Sequence, residues 1–217
     1  MEILKRILNI FTPRKSSTPQ FVDLGLPSGL KWAKCNVGAE KETDYGDYFM
    51  WGSVTPNNDT LCDWEHAPFN NGLRKYDEEY FHTHKSEWLD SKDNLKPEYD
   101  AVYKATDGMA RMPTRDEFEE LFYNTVNMWV EDYNGTGVSG REIISETDEN
   151  KHIFIPVAGI RWGDSFHYQG EDCAIWSSSL NALNDDNAWC LSLSSFYLSV
   201  NSDYRFAGFV VRGVLNE

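Results

Sequence analysis

Leu191, Leu193, Leu198 and Val200 alternate with serines in the stretch NAWCLSLSSFYLSVNSDYRFAGFVVRGV, residues 187–214. Apolar side chains two apart fall on one face of a strand, so this period dictates a sheet with one face buried. The outward positions carry Ser, Asn, Asp, Tyr and Trp, but neither Lys nor Glu. Elsewhere the chain is rich in charge, at 25% Asp, Glu, Lys and Arg. From 177 to 204 there are eight Ser, four Asn, three Asp and two Tyr among 28 positions, with no Lys, Arg or Glu. Such a surface needs an explanation beyond exposure to water.

At 217 residues the chain has room for one large domain with a short appendage. A hydrophobic content of 41%, with 14% of all residues aromatic, is enough for a packed core. Eight Trp and eleven Tyr suit a core bridging short elements, a contact surface of amphipathic rings, or both. The formal charge of −15 argues against nucleic acid, whose phosphates are held by cationic side chains. No run of 18 apolar residues spans a membrane.

The start, MEILKRILNIF, is a poor signal peptide: Lys5 and Arg6 interrupt it and no small-residue cleavage site follows. The expected setting is therefore a cytoplasm or a virion. Ile3, Leu4, Ile7, Leu8 and Phe11 share a helical face. Residues 1–16 carry a net +3, leaving −18 on the remainder. Such a helix suits docking on its own body, or contact with a partner, a second copy or an anionic membrane surface. TPRKSSTPQ reads as a linker, so residues 1–20 form an appendage and 21–217 the domain.

FVDLGLPSGLKWAKCNVG reads as strand, turn, strand, and YGDYFMWGS as a short aromatic strand. Residues 53–95 have no steady period and are expected to form a long surface excursion. PTRDEFEELFYN predicts a helix, with Thr114 as N-cap, Glu117 completing a capping box, and Phe118, Leu121 and Phe122 facing a core. A weaker helix follows Pro97 through Tyr99, Val102 and Tyr103. NGTG, SETDEN and NALNDDN are turns; HIFIPVAGIRW, AIWSSS, WCLSLSS, YLSVNS and GFVVRGV are strands. Short strands with one or two helices define an α+β domain built on antiparallel sheet.

Six blocks in order, VDLGLPSGLKWAKCNVGA, YGDYFMWGS, ARMPTRDEFEEL, IFIPVAGIRW, AIWSSS and GFVVRGV, resemble the bacterial C-type-lectin-like domain in its Fibrobacter major-paralogue branch. That branch is related in fold to formylglycine-generating enzymes, and the resemblance covers roughly residues 21–215. It implies a fold whose N- and C-terminal strands pair. The Ser/Asn/Asp/Tyr-rich end is most similar to the variable proteins of diversity-generating retroelements. In those, adenine-containing codons are randomised and the altered side chains line a receptor-binding face. Tyr and Trp supply rigid contact area and Ser and Asn adaptable hydrogen bonds, as in antibody loops.

Chemistry finds less support. Formylglycine generation needs two closely spaced cysteines, whereas Cys173 and Cys190 lie seventeen apart. That spacing permits a disulfide as well as reduced thiols, and no CxxC exists among Cys35, Cys62, Cys173 and Cys190. The Glu-Pro-Asn, Gln-Pro-Asp and Trp-Asn-Asp tripeptides of calcium lectins are absent, and Asn184, Asp185, Asp186 and Asn187 read better as a solvated loop. Cys62, His66, His82 and His84 match no zinc module. There is no GxSxG, and GTGVSG lacks the ending of a phosphate loop.

The expected protein is therefore non-catalytic, without cofactor or metal. It would bind a macromolecular ligand, a protein or cell-surface receptor, through a face built from residues 179–206. The alternatives are a fixed structural or carbohydrate-binding domain and, further off, an enzyme of the formylglycine-generating kind. Expected contacts are Asn181, Asn184, Asp186, Asn187, Trp189, Ser192, Ser194, Tyr197, Ser199, Asn201, Asp203, Tyr204 and Phe206. Trp176, Leu191, Leu193, Leu198 and Val200 are expected in the core.

Overall fold

The computed structural model describes residues 19–71 and 77–215. The amphipathic face at residues 3–11 and most of the linker lie outside the described residues. The described chain is α+β and rich in antiparallel sheet. A four-stranded sheet runs in the order β1 (Phe21–Asp23), β2 (Lys31–Asn36), β14 (Arg212–Leu215), β4 (Ala110–Arg111). A five-stranded sheet runs β12 (Leu198–Tyr204), β11 (Asn187–Ser194), β10 (Asp172–Leu180), β13 (Phe209–Val210), β3 (Tyr48–Phe49). Strands β5 (Thr125–Val130), β6 (Gly140–Ser145) and β7 (His152–Pro156) form a third sheet, and β8 (Ile160–Trp162) with β9 (Ser165–His167) a hairpin. Among these strands only β10 and β13 pair in parallel. No helix among the described residues is long and apolar enough to cross a membrane.

The N- and C-terminal regions meet as expected, through LKWAKC rather than FVDLGL: β2 pairs antiparallel with β14, Val214 opposite Trp32, and β1 lies outside β2. GFVVRGV is not one strand, however. It changes sheet at Val211, whose carbonyl accepts from the Val37 amide at 3.0 Å, so β13 and β14 serve different sheets. HIFIPVAGIRW also divides, because Gly159 takes a φ of +75, in the left-handed region. A Cβ at that position would meet the His167 carbonyl oxygen at 2.3 Å. TVNMWV and GREIIS, unread in the sequence, pair as β5 and β6.

The predicted helix is α3 (Arg115–Tyr123), the third in chain order, with its capping box in place. The Thr114 hydroxyl accepts from the Glu117 amide at 3.3 Å, and the Glu117 carboxylate from the Thr114 amide at 2.8 Å. Glu117 also takes both ends of the Arg111 fork, at 2.8 and 2.6 Å. The helix after Pro97 is present as a 3-10 turn and α2 (Ala101–Ala105). The excursion at 53–95, in which no steady period is read, holds α1 (Glu78–Trp88), capped by Asp77. Its buried residues are only Phe81 and Trp88, too sparse a stripe for the period to register.

The core lies on both sides of the five-stranded sheet. On one face Cys173, Ile175, Leu191, Leu193, Leu198 and Val210 meet Phe118, Leu121, Ile143 and Ile153. On the other Ala174, Trp176, Cys190 and Phe209 meet Trp51, Phe81, Trp88 and Leu95. Trp176 and the three leucines are buried as expected, and Val200 packs partly buried against the first of these clusters. AIWSSS is buried on both faces because it belongs to the central β10. The register places Cys173 opposite Leu193 and Cys190 opposite Trp176, so the two thiols belong to different cores and all four cysteines are free.

Candidate functional site

Strands β11 and β12 form a ribbon at the edge of the five-stranded sheet, with β12 outermost. Its register sorts the side chains. Leu193↔Leu198, Leu191↔Val200 and Trp189↔Ser202 share the side toward α3. Ser192↔Ser199, Cys190↔Asn201 and Ala188↔Asp203 share the opposite side. There Asn201 is exposed and Ser192, Ser199 and Asp203 are half-buried. Asn201 donates to the Ser199 hydroxyl at 2.9 Å, and the Tyr197 hydroxyl donates to the Asp172 carboxylate.

The expected contacts therefore do not form a single face. Ser192, Tyr197, Ser199, Asn201 and Asp203 belong to the open polar side and its turn. Trp189 lies across the ribbon, with the Arg115 guanidinium 4.2 Å above its ring. Asn181, which donates to Ser202 at 3.0 Å, lies with it. Asn184 shapes the β10–β11 loop by accepting from the Asp186 amide at 3.1 Å. The Asp186 Oδ1 and Asn187 Oδ1 atoms are buried without a protein hydrogen-bond partner.

Two expected contacts are corrected. Ser194 is 5% exposed: its carbonyl accepts from Arg141 Nε at 2.9 Å, and its hydroxyl from the Phe196 amide at 3.2 Å. It builds the turn rather than the surface. Phe206 is 6% exposed, packed under Trp64 and Trp162 with ring centroids at 4.8 and 4.5 Å. Chain reversal after β12 carries it inward, a step that alternation along a strand does not reveal.

The structure also supplies residues absent from that expectation. Leu183 in the β10–β11 loop and Phe196 in the β11–β12 turn are almost wholly exposed, at 97% and 94%. Large apolar groups inside polar turns were the available signal. Trp162, from the β8–β9 hairpin, reaches Tyr204 with centroids 6.2 Å apart, and both are about two-fifths exposed. Arg141, on β6, pins the ribbon's turn by donating to the Ser194 carbonyl, and is itself steadied by donating to Asn127 Oδ1 on β5 at 2.7 Å; a lone Arg in GREIIS carries no such message. At the other end, Asp185 accepts from His82 at 2.8 Å and tethers the loop to α1.

Burial raises the Asp203 carboxyl above its ordinary value of 3.8, and the hydrogen bond from the Tyr204 amide only partly offsets this. The Tyr197 hydroxyl is pushed up to about 12, by burial and then by Asp172. Burial likewise pushes Cys173 and Cys190 up to about 12, which keeps them as thiols rather than nucleophiles. Cys62, His66, His82 and His84 are not gathered, and no three His, Cys, Asp or Glu among the described residues are placed to hold a metal ion.

The fold and ribbon define an α+β domain that presents a polar, aromatic-tipped sheet edge. Comparison with known proteins finds no matching family model, no matching characterised protein and no matching solved structure.

Proposed function

We propose that this chain is a non-catalytic ligand-binding protein with a C-type-lectin-like fold, and that the β11–β12 ribbon with its flanking loops is its recognition surface. One observation carries the reading. The apolar residues Leu191, Leu193 and Leu198 are locked into the core, while Leu183, Ser192, Phe196, Ser199 and Asn201 stand outside it. Folding then leaves the outward groups open to exchange, as a retroelement-diversified receptor-binding face requires. Ser and Asn lose little entropy on contact and the exposed rings give area, which suits a protein or cell-surface receptor.

Replacing Leu183, Ser192, Phe196, Ser199 and Asn201 together by Ala tests the reading. The unfolding midpoint should move by less than about 4 °C. Loss of cooperative unfolding would overturn it. Diversification predicts an adenine-rich near-copy of the codons for 177–204 beside the gene, with a reverse transcriptase. Their absence would leave a fixed binding domain.

The exposed Trp162–Tyr204 pair favours a second reading, sugar recognition by ring stacking. It predicts glycan-array signals that vanish in Trp162→Ala.

A further inference from the structure

Strand β12 ends the five-stranded sheet, so one of its edges has no strand beside it among the described residues. Its pairing with β11 fixes which backbone groups lie on that edge. The Ser194 amide donates to the Tyr197 carbonyl and the Arg205 amide to the Asp186 carbonyl, both at 2.9 Å and both in register with the ribbon. Hydrogen-bonded pairs alternate along an antiparallel ladder, so Ser199, Asn201 and Asp203 bond across to β11. Leu198, Val200, Ser202 and Tyr204 therefore direct their N–H and C=O groups outward. Tyr204 is closed off: its amide donates to Asp203 Oδ1 at 2.7 Å, and its carbonyl accepts from the Ala207 amide at 2.9 Å. At Leu198, Val200 and Ser202, no hydrogen bond among the described residues reaches the outward amide or carbonyl.

Soluble proteins blunt such edges with Lys, Pro or a bulge. LSVNSDY contains neither residue, and its pairs with β11 run without a register shift. We infer that this edge receives an extended, basic peptide segment of a protein ligand as a further strand, main chain to main chain; the inference rests on the ribbon being the recognition surface. Backbone pairing holds a ligand whatever side chains the ribbon carries, because N–H and C=O groups are shared by nearly every residue type. Charge selects the segment. Asp203 sits half-buried on the ribbon's open side, and no Lys, Arg or His among the described residues forms an ion pair with it. Residues 177–204 hold no cation at all. A Lys or Arg on the incoming strand supplies the missing partner, whereas a second copy of this chain, at −15, is repelled.

Random peptides of about twelve residues, enough to span the edge, are displayed on phage and selected against the full chain, and the best is measured by fluorescence anisotropy. Lys or Arg should recur among the selected sequences. Methylating the peptide's backbone nitrogens one at a time, which needs no variant of the protein, should weaken binding at least about fivefold at alternate residues. In the protein, Ser202→Pro removes one outward amide and leaves the bonds to β11 in place. It should bind the same peptide at least about fivefold more weakly than Ser202→Ala, which also loses the Asn181 hydrogen bond but keeps the amide. Methylation without alternation, or a selection that yields no binding peptide, would overturn the inference. So would a dimer of the full chain that Ser202→Pro dissociates, since the occupant would then be a second copy. The Ala variant at Leu183, Ser192, Phe196, Ser199 and Asn201 separates the two readings. If it loses the peptide while methylation shows no alternation, the ribbon still recognises and only strand addition fails; if neither weakens binding, both fail.

Discussion

Asp203 shows how a single position on the ribbon trades stability for surface chemistry. Its folded carboxyl titrates above the ordinary 3.8, burial being the main cause. The charged form is therefore disfavoured by folding. The cost is present at neutral pH and is relieved as pH falls into the raised range. Asp203→Asn should raise stability at pH 7 and flatten the pH dependence between pH 7 and the ordinary 3.8. Urea unfolding at both pH values checks this; unchanged stability at pH 7 would count against it. Much at this scale was legible in the sequence. The alternation at Leu191, Leu193 and Leu198 identified core positions, because burial on a strand has a period of two. Ser194 and Phe206 were not legible, since one closes a turn and the other follows a reversal of the chain.

Elements were readable where local chemistry is self-contained. Thr114 and Glu117 satisfy each other's backbone amides, so the start of α3 needs no tertiary information. Thr114→Ala should cost about 1 kcal/mol in thermal or urea unfolding. Burial pulls the Glu117 carboxyl up, but Arg111 and the Thr114 amide outweigh it and hold it below its ordinary 4.5. Its contribution is thus complete above that value and lost as pH falls through the lowered one. Glu117→Gln should narrow the stability difference between pH 6 and pH 3; an unchanged difference would contradict this. By contrast α1 was missed because Phe81 and Trp88 sit seven apart with polar residues between them. Its helicity depends on the aromatic cluster beneath. Trp88 stacks on Phe69 at 4.6 Å, and the Arg205 guanidinium lies 3.7 Å over the Phe81 ring.

For the whole molecule, Arg212 is the clearest tie between sheets. It is fully buried on β14, donating to Asn36 Oδ1 on β2 at 2.8 Å and to the Phe154 carbonyl on β7 at 2.9 Å. Burial lowers its pKa to about 10, so it remains charged at neutral pH. Arg212→Ala would leave both acceptors stranded beside a cavity, at a cost of about 3 kcal/mol or more, readable by chemical denaturation. A change below about 1 kcal/mol would mean that water replaces the guanidinium freely. The sequence by itself determined the α+β class, the capped helix and the polar character of residues 177–204. Each of these is written in neighbours or in a short period. Only the tertiary structure decided that β10 is buried on both faces, that Cys173 and Cys190 belong to separate cores, and that the ribbon's polar residues divide between two sides. Those outcomes depend on which strands become neighbours, and that is set by packing between residues remote in the chain.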